Sequence, residues 1–171
     1  MNFEDIVVRV NKPYPEVEDA IECKKTVAVL KNLATARYSE LSAILQYNYQ
    51  ASIADRTRED IAEILQEISI VEMTHLDMLM HAIVDFGGVP KYEDSQGQIF
   101  NTSGVNYNLK LKEILDINIE GERQAINAYK QAIEMVQNKS LKELFARIIE
   151  DEARHIEVFK TIRDNVTFLA I

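Results

Sequence analysis

Cys23 is the only cysteine in 171 residues, so no disulfide, zinc ribbon or C-x-x-C redox pair can form within one chain. A reducing, cytoplasmic setting is expected. Glycine and proline are nearly as scarce, at five and three residues, which removes the turn punctuation of β-rich folds and favours a single all-helical domain. Apolar stretches are short. None approaches the roughly 18 consecutive residues needed to span a bilayer, and no basic stretch followed by an apolar core opens the chain, so neither a membrane span nor a secretory signal is expected. Positive charge is also under-represented, with 19 Lys and Arg against 28 Asp and Glu for a net charge of -9. That balance disfavours nucleic acid and anionic membranes as partners, because both are held by Lys and Arg neutralising phosphate. It suits a protein that collects cations. The 47% of hydrophobic side chains is ample for one sizeable core.

What the chain does contain, it contains twice. Glu40 opens E-x-x-A-I-x-x-Y ending at Tyr47, and Glu122 opens the same pattern ending at Tyr129. About thirty residues after each comes Glu-x-x-His, first Glu72 with His75 and then Glu152 with His155. The repeated unit is therefore one helix with a Glu, then one helix with Glu-x-x-His. Four carboxylates and two imidazoles at that spacing can hold a pair of metal ions inside a four-helix bundle.

Periodicity places these residues on helices. Residues 1–20, with Pro13 and Pro15, read as an extended leader to which no chemistry is assigned, and residues 21–171 as the bundle. The first helix is expected over 22–54, where Val29, Leu30, Leu33, Ala36, Glu40, Ala43, Ile44 and Tyr47 share a face. The second starts at Thr57 and ends at the Gly87-Gly88-Val89-Pro90 stop, with Glu72 and His75 in its apolar stripe. Residues 91–108 have no helical period and are long enough to travel the length of a bundle. A third helix over 109–136 carries Glu122 and Tyr129 inward, and a fourth begins at a capping box formed by Ser140 and Glu143. The expected fold is thus an all-α antiparallel four-helix bundle, two helical hairpins joined by a long crossover.

On a helix, residues i and i+3 lie nearly above one another, so each Glu-x-x-His motif offers one carboxylate and one nitrogen to the same metal region. Adding Glu40 and Glu122 gives four negative charges, which two divalent ions neutralise. Unpaired carboxylates in a core would otherwise protonate or demand counter-charges, for which Arg37 and Arg154 are the nearest candidates. Oxygen-rich ligation with one imidazole per metal suits iron or manganese better than structural zinc. His81 lacks a Glu three residues before it, and Glu120 falls outside both the repeat and the apolar stripe; neither is assigned to the site.

With these motifs the chain resembles the ferritin-like superfamily of non-haem dimetal carboxylate proteins, which includes bacterioferritins, rubrerythrins and manganese catalases. The resemblance implies Glu40 and Glu122 as terminal carboxylates, Glu72 and Glu152 as bridging ones, and His75 and His155 as nitrogen ligands. Tyr47 and Tyr129 each follow a terminal glutamate by two turns on the same face and are candidates for supporting roles; the resemblance implies such a role for Tyr47, and for Asp151, which resembles the carboxylate that orients a metal-bound histidine. Val71 stands at the equivalent position before Glu72, so one histidine is expected to lack that support. Met73 coincides with a haem-ligating methionine of bacterioferritins, but is read as a core or surface residue and haem is not expected.

What the resemblance implies for function is a dimetal oxidoreductase, ferroxidase- or peroxidase-like, that reacts with peroxide or dioxygen and draws on an electron donor the sequence does not specify. Iron is preferred and manganese second. The alternatives are a manganese catalase-like enzyme and a non-enzymatic, iron-sequestering protein. The single cysteine and Ala125, where rubrerythrins add a glutamate, argue against a rubrerythrin-type electron path. The apolar end, Val166, Phe168, Leu169 and Ile171, hints at a homodimer or larger homo-oligomer.

Overall fold

The computed structural model describes residue 3, residues 6–54 and residues 56–166. Phe168, Leu169 and Ile171 therefore lie outside the described residues. Among the described residues five α-helices follow in order: α1 (Lys24–Thr35), α2 (Glu40–Ala54), α3 (Glu59–Asp85), α4 (Leu111–Met135) and α5 (Lys139–Asn165). Among the described residues there is no β-strand, only an isolated bridge between Glu93 and Ile99 and a 3-10 turn at Thr102–Gly104. No helix among them is long and apolar enough to cross a membrane.

The helices form a four-rod bundle in which α2 packs on α3 and α4 packs on α5, and the crossover between the two hairpins is the long connection anticipated from the sequence. Its start is a glycine stop on α3. Gly87 has φ +81, and the amides of Gly87 and Gly88 reach back to the carbonyls of Val84 and Ile83, closing the last turn with a left-handed residue.

Two boundaries differ from the sequence reading. The first rod is not one helix but two, because Ala36 is extended (ψ 177) and the chain restarts only at Glu40. The crossover packs against the break, where Thr35 donates its hydroxyl to the Glu93 carbonyl, and within the junction itself Ser42 donates to the Arg37 carbonyl. Gly104 lies so close that a Cβ built on it would stand 1.6 Å from the Arg37 carbonyl oxygen, so only glycine fits. The second difference is the start of α5. Asn138, not Ser140, caps it by accepting from the Leu141 amide, while Ser140 is drawn away to the Glu18 backbone. Similarly, Thr57 lies just outside α3, which Arg58 precedes without a side-chain cap.

Residues 7–18 run extended along the outside of α5. Arg154 donates to the Val7 carbonyl, Arg147 to those of Val10 and Lys12, and Ser140 pairs with Glu18. Two apolar clusters fill the bundle. One, around Ile61, Leu65, Ile68, Leu115, Phe159 and Ile162, occupies the end where α2 and α3 join. The other, around Leu30, Leu79, Ile83, Leu141, Phe145 and Ile148, occupies the opposite end. On α3 and on α5 the Glu-x-x-His residues fall between the positions assigned to the two clusters. The polar site is thus a layer with hydrocarbon above and below.

Candidate metal centre

Helix geometry brings all six repeated residues to that layer. Glu40 is the first residue of α2 and 5% exposed; Glu72, His75, Glu122, Glu152 and His155 are more deeply buried still. Ligand atoms of Glu40, Glu72, His75 and Glu152 lie within 4.8 Å of one another, and so do those of Glu72, Glu122, Glu152 and His155. Glu72 and Glu152 belong to both sets. The two sets repeat the same contacts. His75 Nδ1 lies 3.0 Å from Glu72, 3.2 Å from Glu152 and 3.8 Å from Glu40. His155 Nδ1 lies 3.1 Å from Glu152, 3.1 Å from Glu72 and 3.5 Å from Glu122. Duplication in the sequence has become pseudo-symmetry in space.

Packing four carboxyls and two imidazoles into one buried layer shifts the proton affinity of each. Burial, then repulsion from Glu72, pushes the Glu40 carboxyl up to about 8. Burial and the charges of Glu152 and Glu72 push Glu122 well up also. For Glu72 burial acts the same way, but the charge and hydrogen bonds of the two imidazoles overcome it and hold the carboxyl below the usual range. Glu152 is likewise lowered. Burial opposes charge on both histidines, yet the surrounding carboxylates raise them well above 6.5. Burial and mutual repulsion thus favour the protonated form of the outer carboxyls, Glu40 and Glu122, and the imidazoles favour the ionised form of the inner pair, Glu72 and Glu152.

Two tyrosines complete the layer by crossing between helices. Tyr47 on α2 donates to Glu122 on α4, and Tyr129 on α4 donates to Glu40 on α2. Burial, then the adjacent carboxylates, raises both phenols well above 10.0, so each remains a donor.

Asp151 meets a histidine, and it is His75 across the bundle rather than His155 four residues along, with Oδ2 3.3 Å from His75 Nε2. His155 Nε2 is buried without a hydrogen-bond partner among the described residues.

Two residues at the site escaped the sequence reading. Tyr14 of the leader donates to Asp151 at 2.6 Å, with its oxygen 3.4 Å from His75 Nε2. Arg147 pairs with Asp151 at 2.9 Å and covers the Tyr14 ring at 4.5 Å. The cations nominated from sequence face elsewhere: Arg37 is on the surface against Ser103, and Arg154 holds Val7 and Glu157. Arg147 had one visible signal, its place four residues before Asp151 on α5. Tyr14, set between Pro13 and Pro15, had none. Among the residues set aside, His81 is 75% exposed beside Asp77, Glu120 is exposed and pairs with Arg123, and Met73 is 44% exposed.

The donor set fits two divalent cations. One buried oxygen on each shared carboxylate, Glu72 Oε1 and Glu152 Oε1, makes no well-aligned hydrogen bond among the described residues, its near neighbour being the opposite imidazole Nδ1 at 3.1 and 3.2 Å. A native core does not normally leave such oxygens unsatisfied. Two divalent charges would balance four carboxylates and displace the extra protons.

The Rubrerythrin family profile matches residues 31–163. A bacterioferritin of Brucella melitensis is 30% identical over 141 residues, spanning 80% of this chain and 83% of that protein. A bacterioferritin of Desulfovibrio desulfuricans is 28% identical over 142 residues, 81% of this chain and 75% of that protein. In structure, a manganese catalase from Anabaena superposes with a TM-score of 0.82 at 23% identity, covering 96% of this chain and 85% of the other, a likeness of fold. The bacterioferritin structure from Desulfovibrio desulfuricans, described with a diiron site, superposes with a TM-score of 0.72 at 27% identity, covering 85% and 81%. With the profile spanning most of the chain and the duplicated ligand set inside it, this chain belongs to the rubrerythrin family, within the ferritin-like superfamily of dimetal carboxylate proteins.

Proposed function

We propose that this protein is a dimetal oxidoreductase, di-iron by preference, that reacts with peroxide or dioxygen. The observation that carries the reading is the sharing of Glu72 and Glu152 between two otherwise separate donor sets. Glu40 with His75 would hold one ion and Glu122 with His155 the other, with Glu72 and Glu152 spanning both. Bound redox-active ions would supply one electron each to an O–O bond. The donor set, oxygen-rich with one nitrogen per position, accepts iron or manganese, and the bacterioferritin relatives favour iron.

The chain's own residues provide the rest. A cavity of about 1020 Å³ opens between α2 and α4 and reaches Glu40, Glu122, Tyr47 and Tyr129. Gly121, Ala125 and Ala128 line it on α4, and their small side chains leave a path for a molecule the size of peroxide. Tyr47 and Tyr129 keep Glu122 and Glu40 oriented by donating from one side. The hydrocarbon layers above and below exclude bulk water from the remaining directions.

A cytoplasmic setting and self-association belong to the same proposal. Supporting the second, Ile70, Met73 and Val84 lie exposed along one side of α3.

Turnover of hydrogen peroxide by iron- and manganese-loaded protein, against a Glu72→Ala variant, tests the reading. Loss of turnover in the variant supports it. Equal rates in the two proteins would leave a cation-sequestering protein as the better description.

A further inference from the structure

The pseudo-symmetry of the two donor sets stops at the outer nitrogens of the histidines. His75 Nε2 faces Asp151, and that carboxylate is held from every side. Its Oδ1 accepts the Val10 amide at 2.8 Å and pairs with Arg147 at 2.9 Å, while its Oδ2 accepts the Tyr14 hydroxyl at 2.6 Å. Arg147 is in turn fastened to the carbonyls of Val10 and Lys12. The Tyr14 ring stands edge-on to the His75 ring, at 83° and 5.9 Å between centroids. His155 has none of this. Its Nε2 is buried and unpartnered among the described residues, and Val71 occupies the place in the repeat that Asp151 holds on α5.

A partner on the far nitrogen fixes an imidazole's tautomer, holds the ring's direction and makes the near nitrogen a better donor. Only His75 has one. We infer that the two metal positions are unequal, the His75 position being the tighter and the first filled, and that Tyr14 of the leader is the positioning residue that makes it so, acting through Asp151. This rests on the dimetal reading of the site. It gives the segment from Val10 to Tyr14 a task, since a strap drawn from outside the repeated unit supplies what the repeat lacks. Within the duplicated helices the two positions already differ by Asp151 against Val71, and the strap is what holds that carboxylate on His75.

Calorimetric titration of the metal-free, full-length protein with Mn²⁺ tests the inference without reference to turnover. Wild type is expected to bind two ions in two resolved steps. Tyr14→Phe keeps the ring over Arg147 and removes only the hydroxyl; it should weaken the tighter step by about 10- to 100-fold and leave the weaker one unchanged. His155→Gln should retain the tight step and His75→Gln should lose it, which ties each step to its imidazole. Lys110→Ala, which cuts only an exposed ion pair with Glu113 away from the strap, should leave both steps in place. A merely structural role for Tyr14 would lower both steps together. That result, or two equal steps in wild type, or a tight step that survives in His75→Gln, would overturn the inference while leaving the dimetal reading intact. Failure to bind Mn²⁺ at all would remove both.

Discussion

Tyr129, on the inner face of α4, donates a hydrogen bond from its hydroxyl to Glu40 at the start of α2, so a side chain from the second repeat positions a carboxylate of the first. Tyr47 returns the favour to Glu122. Removing either hydroxyl leaves a buried carboxyl oxygen without its donor, a loss of about 1–3 kcal/mol. Tyr129→Phe and Tyr47→Phe should therefore each lower the stability of the metal-free protein by that amount. Urea unfolding at fixed pH measures it, and an unchanged midpoint in both variants would show that the crossing bonds carry no weight.

Because Glu72 lies in both donor sets, Glu72→Ala should disturb both metal positions, whereas a substitution at an outer carboxylate should disturb one. Metal content per chain after loading with Fe²⁺ without oxygen is expected to fall from two to at most one. Glu120→Ala, at an exposed residue paired with Arg123, serves as the control and should retain two. Full occupancy in Glu72→Ala would contradict the shared role.

Stability of the metal-free protein should decline as pH rises. Glu40 titrates near 4.5 when unfolded and about 8 when folded, so its contribution is full below 4.5 and is lost on the way through 8. His75 and His155 are raised above 6.5, so their contribution is full below that pH and is also lost on the alkaline side. Glu72, Glu152 and Asp151 are lowered and act in the opposite direction, losing their contribution only as pH falls below the ordinary carboxylate range. Thermal unfolding in a chelator should give a maximum between about 4.5 and 6.5 and a falling midpoint from 6.5 to 8. Divalent metal should reverse that fall, because it binds the deprotonated ligands. A midpoint that climbs from 6.5 to 8 in chelator would show the ligand cluster to be differently protonated.

Gly104 and Gly121 should respond to alanine with opposite signs. A Cβ at Gly104 meets the Arg37 carbonyl, so Gly104→Ala must push the crossover away from the α1–α2 junction, at a cost of about 1–3 kcal/mol. A Cβ at Gly121 meets nothing within 4 Å, and Gly121→Ala should stabilise α4 by about 0.5–1 kcal/mol. Denaturant midpoints of the two variants check both signs.

The parts of this molecule legible from sequence are those in which helical geometry converts spacing into a shared face. Glu40, Glu72, His75, Glu122, Glu152 and His155 lie on helices whose period is set locally, so their convergence followed once four helices were packed with apolar stripes inward. The break between Thr35 and Glu40 did not follow, since residues 93–104, which pack against it, lie far along the chain. Nor did the start of α5, where Ser140 has the pattern of a cap but a backbone segment more than a hundred residues earlier competes for its hydroxyl. Tyr14 was invisible for the same reason, because its partners Asp151 and His75 are distant and no local period marks it.

Anomalous diffraction at the iron and manganese edges, from crystals of metal-loaded protein, is the most direct test of the central claim. Two peaks are expected roughly 3.5–4 Å apart, flanked by His75 and His155 and spanned by Glu72 and Glu152. A map without density between those two carboxylates, or with one ion bound elsewhere, would contradict it.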